Sequence, residues 1–322
     1  MKKALLAVVL VVAAAAALTV YLMKGRASGP AEPEKRTTVR VVHVPTASVT
    51  PLYVAMERGY FSKAGLDVEL SKFGSTSMLM PAFLAGKAEV ATATPVDVLA
   101  AAAKFPGAFK IISAGIVTAE HDNDAFMVKK GAPYNSIADL KGKKIGTFPG
   151  AAMKLYVQLV AEKEFGDRKA LTPVPMPPSA LLGALGAGKV DAAYMLEPMA
   201  QLGAKRGVCE YLIQRIGARY VTDPNVGVTT LISQRFIDEH PEAARAFVRA
   251  YAQGVRDRQK DPKAAAAYVP KYTKIPVPVV YKGVNTLPEE FPGEALRAMA
   301  EVFLREKIID SKPDVDKLRY QE

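Results

Sequence analysis

Residues able to hold a small molecule gather in this chain in short loops of hydroxyls and glycine. Thr46, Ser48 and Thr50 lie between Pro45 and Pro51. Gly74, Ser75, Thr76 and Ser77 follow a strand-like run, and Thr94 precedes Pro95. Phe148, Pro149, Gly150 and Ala151 open a helical run, and Glu197 stands before Pro198. Hydroxyls give and take hydrogen bonds without a formal charge, and glycine lets backbone amides approach a ligand closely. At a helix N-terminus the same residues cap free N–H groups or bind an anion. This is chemistry for binding.

Catalytic and metal chemistry finds less support. The single cysteine, Cys209, excludes an intrachain disulfide, a cysteine-rich zinc site and an iron–sulfur cluster. It has no neighbouring histidine and reads as a small packed residue. His43 sits inside a strand with no acid or nucleophile beside it and reads as structural. His121 is flanked by Glu120, Asp122 and Asp124, but adjacent residues lack the spacing of a helical metal motif, so a solvated loop is expected and no metal. The GxxxxGK[ST] pattern is absent, so the loop at Gly150 is not a phosphate-binding P-loop.

The loops need strands and helices to position them. Residues 39–44 read as a first strand ending in the hydroxyl-rich loop, and residues 66–70 (LDVEL) alternate as a strand with one buried face. A helical run then reaches the turn Ala85-Gly86-Lys87, an acidic residue and a strand of small residues ending at Thr94-Pro95. The same series recurs in the second half: helix, Ala187-Gly188-Lys189, Asp191, strand, Glu197-Pro198. This repeat implies two similar α/β lobes with a ligand cleft between them, the AGK turns marking the fold and the loops after the strands making the contacts. Residues 109–117 (FKIISAGIV) read as a buried strand, 125–128 as a crossing strand into the second lobe, and 227–232 as the crossing back. Residues 235–241 read as the start of a long amphipathic helix over 242–256, followed by helices broken by proline to about Lys307.

A chain of 322 residues suits two modest domains, and half of it is hydrophobic, as in a globular protein. The net charge of +11 comes from dispersed lysines and arginines without interleaved aromatics, so no nucleic-acid partner is expected. A diffuse positive field can still draw small anions into a cleft. Residues 1–27 combine a cationic start with an apolar run at 4–23 closed by Lys24 and Arg26, which marks an export signal or a membrane anchor, the uncleaved anchor being favoured. No cysteine follows the run, which excludes a bacterial lipoprotein anchor. Residues 28–38 form a polar linker.

Four motifs in order, PLYVAMERGYFSKAGLDVEL, AFLAGKAEVATATP, DLKGKKIGTFPG and LGAGKVDAAYMLEP, resemble the substrate-binding proteins of nitrate/sulfonate/taurine-type ABC transporters, the SsuA/THI5-like or NMT1-like family. The likeness spans about residues 39–242. It implies a type II periplasmic-binding-protein fold: two α/β lobes joined by two crossing strands, with the C-terminal helices on lobe one. The lobes would be residues 39–124 with 229–322, and 125–228. It places ligand contacts at Thr46, Ser48, Thr50, Gly74, Ser75, Thr76, Thr94, Phe148, Gly150, Ala151 and Glu197, with Phe126 and Met195 adding an apolar surface.

No arginine stands inside these loops, which weighs against a simple tight-anion site, and Glu197 either favours an amine-bearing ligand or caps a helix. The implied function is capture of a small molecule (a sulfonate, nitrate, carboxylate or pyrimidine-like compound) and delivery to an ABC permease and its ATPase, by a monomer outside the cytoplasmic membrane, with no cofactor. The family also holds pyrimidine synthases with a cysteine-rich motif, which this chain lacks. An exported lyase-type enzyme and a membrane-anchored sensor on the same fold are the alternatives.

Overall fold

The computed structural model describes residues 36–118, 124–273, 275 and 278–322. The apolar segment 1–27 and most of the linker lie outside the described residues, as do Glu120, His121 and Asp122. Residues Thr37–Glu322 form one compact unit.

Two sheets carry it. The strands are β1 (Thr37–His43), β2 (Leu66–Lys72), β3 (Val90–Ala93), β4 (Phe109–Val117), β5 (Asp124–Lys129), β6 (Lys144–Thr147), β7 (Thr172–Pro175), β8 (Ala192–Leu196), β9 (Cys209–Gln214), β10 (Asn225–Ser233) and β11 (Val284–Asn285). The first sheet has the order β11-β4-β10-β3-β1-β2 and the second β7-β6-β8-β5-β9. β1 runs parallel to β2 and β3, and β6 parallel to β7 and β8, while β10 and β5 run against their neighbours. These are the two α/β lobes of the expected fold, with β5 and β10 as the crossing strands. Helices cover both faces of each sheet, which is why β3 is buried along its whole length and β5 up to Val128.

The repeated AGK turn has one physical job in both lobes. The helices Thr76–Leu84 and Pro178–Gly186 stop there with Gly86 at φ 73° and Gly188 at φ 69°, a left-handed conformation that suits glycine. Lys87 N–H donates to Ala82 O and Gly86 N–H to Phe83 O; Lys189 and Gly188 repeat this onto Ala184 and Leu185. That paired bonding is the Schellman stop. The acidic residue after each turn then ties down the neighbouring parallel strand. Glu89 accepts from Arg40 N–H at 2.7 Å, and Asp191 accepts from Lys144 N–H at 2.9 Å.

Two elements differ from the sequence reading. The expected helix over 242–256 lies within Pro241–Lys260, but its lead-in is a separate short helix, Gln234–Glu239, because Pro241 starts a new first turn after His240. Where proline-broken helices are expected, the stretch before residue 293 contributes β11, which pairs Asn285 with Gly115 on β4. The helices Pro241–Lys260 and Thr50–Glu57 touch closely at Gly254, where an added Cβ would lie 2.3 Å from the Pro51 carbonyl oxygen.

Candidate functional site

Strand direction collects the candidate loops. Thr46–Thr50 follows the C-terminal end of β1, Gly74–Ser77 that of β2, and Thr94 that of β3. Phe148–Ala151 follows β6 and Glu197 follows β8. The chain leaves lobe one beside the same edge, since Val117 at the end of β4 pairs with Asn225 at the start of β10. It enters lobe two beside the corresponding edge, since Asp124 pairs with Leu196. The C-terminal edges of both sheets therefore meet at the hinge, where open α/β folds place ligands.

The first loop is a short 3-10 turn, Ala47–Val49. Thr46 and Ser48 hydroxyls lie 2.8 Å apart, and Thr50 donates to Ala47 O at 2.5 Å. Ser48 and Thr50 are buried and Thr46 is half-buried. The loop rests on a segment that sequence reasoning missed. Asn285 Nδ2 donates to Ser48 O at 3.1 Å, and Tyr281 packs with Ala47. Among the described residues the Tyr281 hydroxyl and Asn285 Oδ1 are both buried without a hydrogen-bond partner. Gly115, Gly227 and Gly283 leave the room that the Tyr281 ring occupies. Nothing in the irregular run around these residues signals them beforehand.

At the second and third loops, Ser75 precedes the helix Thr76–Leu84 and its hydroxyl lies 3.1 Å from that of Ser77, while Gly74 is exposed. Thr76 and Thr94 hydroxyls both donate to Asp97 Oδ2, the latter at 2.8 Å, and lie 3.3 Å from each other. Asp97 stands in the first turn of the helix Pro95–Lys104 and suits the positive end of its dipole.

In lobe two, Gly150 at φ 132° precedes the helix Ala151–Phe165. Gly150 and Ala151 are exposed, Phe148 is half-buried, and among the described residues no side chain caps the first amides of that helix. Phe126 and Met195 have no exposed surface. Phe126 stands edge-on to Tyr194 at 5.7 Å, and Met195 packs in the core with Leu181 and Leu185. Both lie behind the loops, among the side chains that support them.

Glu197 is buried and both its oxygens are engaged. Gln201 N–H donates to Oε2 at 3.0 Å and the Tyr211 hydroxyl to Oε1 at 2.6 Å. These bonds tie β8 to the helix Met199–Lys205 and to β9, as a structural cap does.

The hinge holds a second buried carboxylate. Asp124 accepts from the Tyr194 hydroxyl at 2.7 Å and from Gly217 N–H at 2.9 Å. Burial, then the charge of Asp124, pushes the Tyr194 phenol well above its ordinary range. Arg168 of lobe two also pairs with Glu306 of lobe one at 2.5 Å, so the lobes touch through charged as well as apolar groups. The nucleophile and base candidates are poorly placed for chemistry. Burial pushes the Cys209 thiol up to about 11 and the His43 imidazole down to about 4. Among the described residues no cluster of histidine, cysteine and acidic side chains could hold a metal ion.

Comparison with known proteins bears on the family and the fold. The family model described as NMT1/THI5 like matches residues 46–265. A Bacillus subtilis protein provisionally named as an aliphatic sulfonates-binding protein is 24% identical over 278 residues, 83% of this chain and 82% of that protein. The 4-amino-5-hydroxymethyl-2-methylpyrimidine phosphate synthase of Schizosaccharomyces pombe is 24% identical over 221 residues, 66% of this chain and 62% of its own length. The crystal structure of the periplasmic aliphatic sulphonate binding protein SsuA from Escherichia coli superposes with a TM-score of 0.71 at 15% identity, covering 90% of this chain and 93% of that one.

Proposed function

The chain belongs to the NMT1/THI5-like family, and on that premise we propose that it is an extracytoplasmic solute-binding protein that closes two lobes around a small molecule and delivers it to an ABC permease. The observation that carries this reading is the convergence of the hydroxyl and glycine loops of both lobes on one hinge edge. The apolar run at residues 4–23 supports export. The solute is an organic or inorganic anion such as a sulfonate, nitrate or carboxylate, or a pyrimidine-like compound.

The contacts come from Thr46, Ser48, Thr50, Gly74, Ser75, Thr76 and Thr94 on lobe one. Phe148, Gly150 and Ala151 supply them on lobe two, where free amides of the helix Ala151–Phe165 meet the acceptor end of the solute. Phe126 and Met195 support these loops from behind. A solute touching both lobes favours the closed arrangement by the difference in its affinity for the two states. No covalent step is involved.

A thermal-shift screen of the purified protein against sulfonates, oxyanions, carboxylates and pyrimidines tests this. A true ligand at a hundred times its Kd stabilises by about 2.7 kcal/mol and raises the melting temperature. A uniformly silent screen weighs against the reading. The relative named as a synthase raises a second reading, an exported enzyme on the same fold. The raised Cys209 thiol and the engaged Glu197 weigh against it. Turnover of a bound candidate, abolished by Glu197→Ala, would establish it instead.

A further inference from the structure

The edge of the lobe-two sheet remote from the candidate loops gathers lysines that stand far apart in the sequence. Lys129 ends β5, Lys130 follows it, and Lys129 pairs with Cys209, which Lys205 and Arg206 precede. Lys141, Lys143 and Lys144 lead into β6, where Lys144 pairs with Thr172 of β7. Lys169 precedes β7, beside Ala170 O, which accepts from Gly142 N–H at 2.7 Å. Lys189 precedes β8, and Asp191 N–H donates to Lys144 O at 2.9 Å. Strands about 4.8 Å apart put these residues on one edge about 20 Å wide. Lys143 is half-buried and the others are exposed.

Among the described residues none of these nine cations forms an ion pair. The carboxylates beside them are held by other donors. Asp139 accepts from Asn135 and Ser136 N–H, Asp167 from Lys169 N–H, and Glu210 from Gly131 N–H. Asp191 accepts from the Tyr134 hydroxyl and Lys144 N–H. Lobe one matches its cations instead: Arg40 with Glu89, Lys104 with Asp310, Arg235 with Glu239 and Lys317 with Asp314. The exposed large apolar side chains, Met78, Phe105, Val280, Val284 and Leu304, all belong to lobe one, so the lysine edge lacks the apolar anchors on which a stable protein interface centres. Eight lysines to one arginine suit attraction to a diffuse negative surface better than forked recognition of single phosphates.

We propose that this edge docks lobe two on an anionic phospholipid surface. The unmatched ammonium groups each approach headgroup charge without giving up an internal partner. The exported location proposed above puts the protein beside such a surface. The candidate loops lie at the other edge of the same sheet, so docking here leaves them uncovered. The inference goes beyond solute capture, and its test needs no solute.

Vesicle sedimentation tests it on residues 28–322, since Thr37–Glu322 is one compact unit and the apolar run at 4–23 would itself enter a bilayer. Vesicles of phosphatidylcholine with about 30% phosphatidylglycerol should bind the protein, vesicles of phosphatidylcholine alone should not, and about 0.5 M salt should release it. The triple variant Lys130→Gln, Lys144→Gln, Lys189→Gln should bind about a hundredfold more weakly. Lys87→Gln, Lys260→Gln, Lys263→Gln removes the same charge from exposed sites on lobe one and should change binding less than about threefold. Melting temperatures report that both variants fold. Equal binding to the two kinds of vesicle, or equal losses in the two variants, overturns the proposal. So does protein that ignores anionic vesicles yet is retained by immobilised polyglutamate or duplex DNA, which would make the edge a site for an acidic macromolecule. Failure of the solute screen leaves these outcomes untouched.

Discussion

Alanine at Glu197 separates a structural cap from a ligand contact. The carboxylate is buried and accepts from Gln201 N–H at 3.0 Å and from the Tyr211 hydroxyl at 2.6 Å. Hydrogen bonds to an ionised group contribute about 1.5–3 kcal/mol each, and truncation leaves both donors without this acceptor. Water entering the vacated space recovers part of that, so Glu197→Ala should cost about 3 kcal/mol. Glu197→Gln keeps the shape and one acceptor oxygen, and should cost about 1–1.5 kcal/mol. Urea unfolding followed by circular dichroism reads both variants, and a double-mutant cycle with Tyr211→Phe isolates the coupling within the pair. An unchanged urea midpoint in Glu197→Ala, combined with lost solute binding, would refute the cap.

His43 gives a pH-dependent test. Its imidazole is pushed down to about 4 by burial and, secondarily, by the charge of Lys72, while in the unfolded chain it protonates near 6.5. Below about pH 6.5 the unfolded chain binds a proton that the folded one refuses. Stability from this group is full above about pH 6.5 and falls by about 3 kcal/mol as the pH drops towards 4. Urea midpoints at neutral and acid pH should therefore converge for His43→Leu relative to the unmodified protein; parallel losses in both would contradict the burial argument. Gly254→Ala would place a Cβ 2.3 Å from Pro51 O, backbone that cannot swing aside, and should cost about 2–3 kcal/mol in the same assay. Gly188→Ala meets no neighbour and should cost about 1 kcal/mol from its φ alone, whereas Gly86→Ala should cost more because it also displaces the Arg235 guanidinium from Gly86 O. Equal losses for the two glycines would count against that contact.

Local chemistry made the architecture legible. The two AGK stops, the acidic residues after them and the buried run Phe109–Val117 each follow from interactions within a few residues or from continuous hydrophobicity. Side-chain direction in strands covered on both faces was not legible. Phe126 and Met195 read as cleft residues, yet both pack wholly inside, and no alternation of polar residues marks which face is which. The long-range polar pairs were also hidden. Asp97 meets Thr76, Glu197 meets Tyr211 and Asn285 meets Ser48 only once the fold brings separate loops together. The Tyr281–Asn285 segment carries no period at all, since β11 is two residues long in a stretch rich in proline.

The central claim, that two lobes close on a solute, is open to a distance measurement. Spin labels at Lys87→Cys and Lys189→Cys sit on exposed turns, one per lobe and remote from the candidate loops, and buried Cys209 is shielded from labelling. Pulsed electron resonance without and with a saturating ligand from the screen should show the interlobe distance distribution shift and narrow as the closed arrangement is favoured. A distribution unchanged by a ligand that calorimetry shows to be bound would contradict the account.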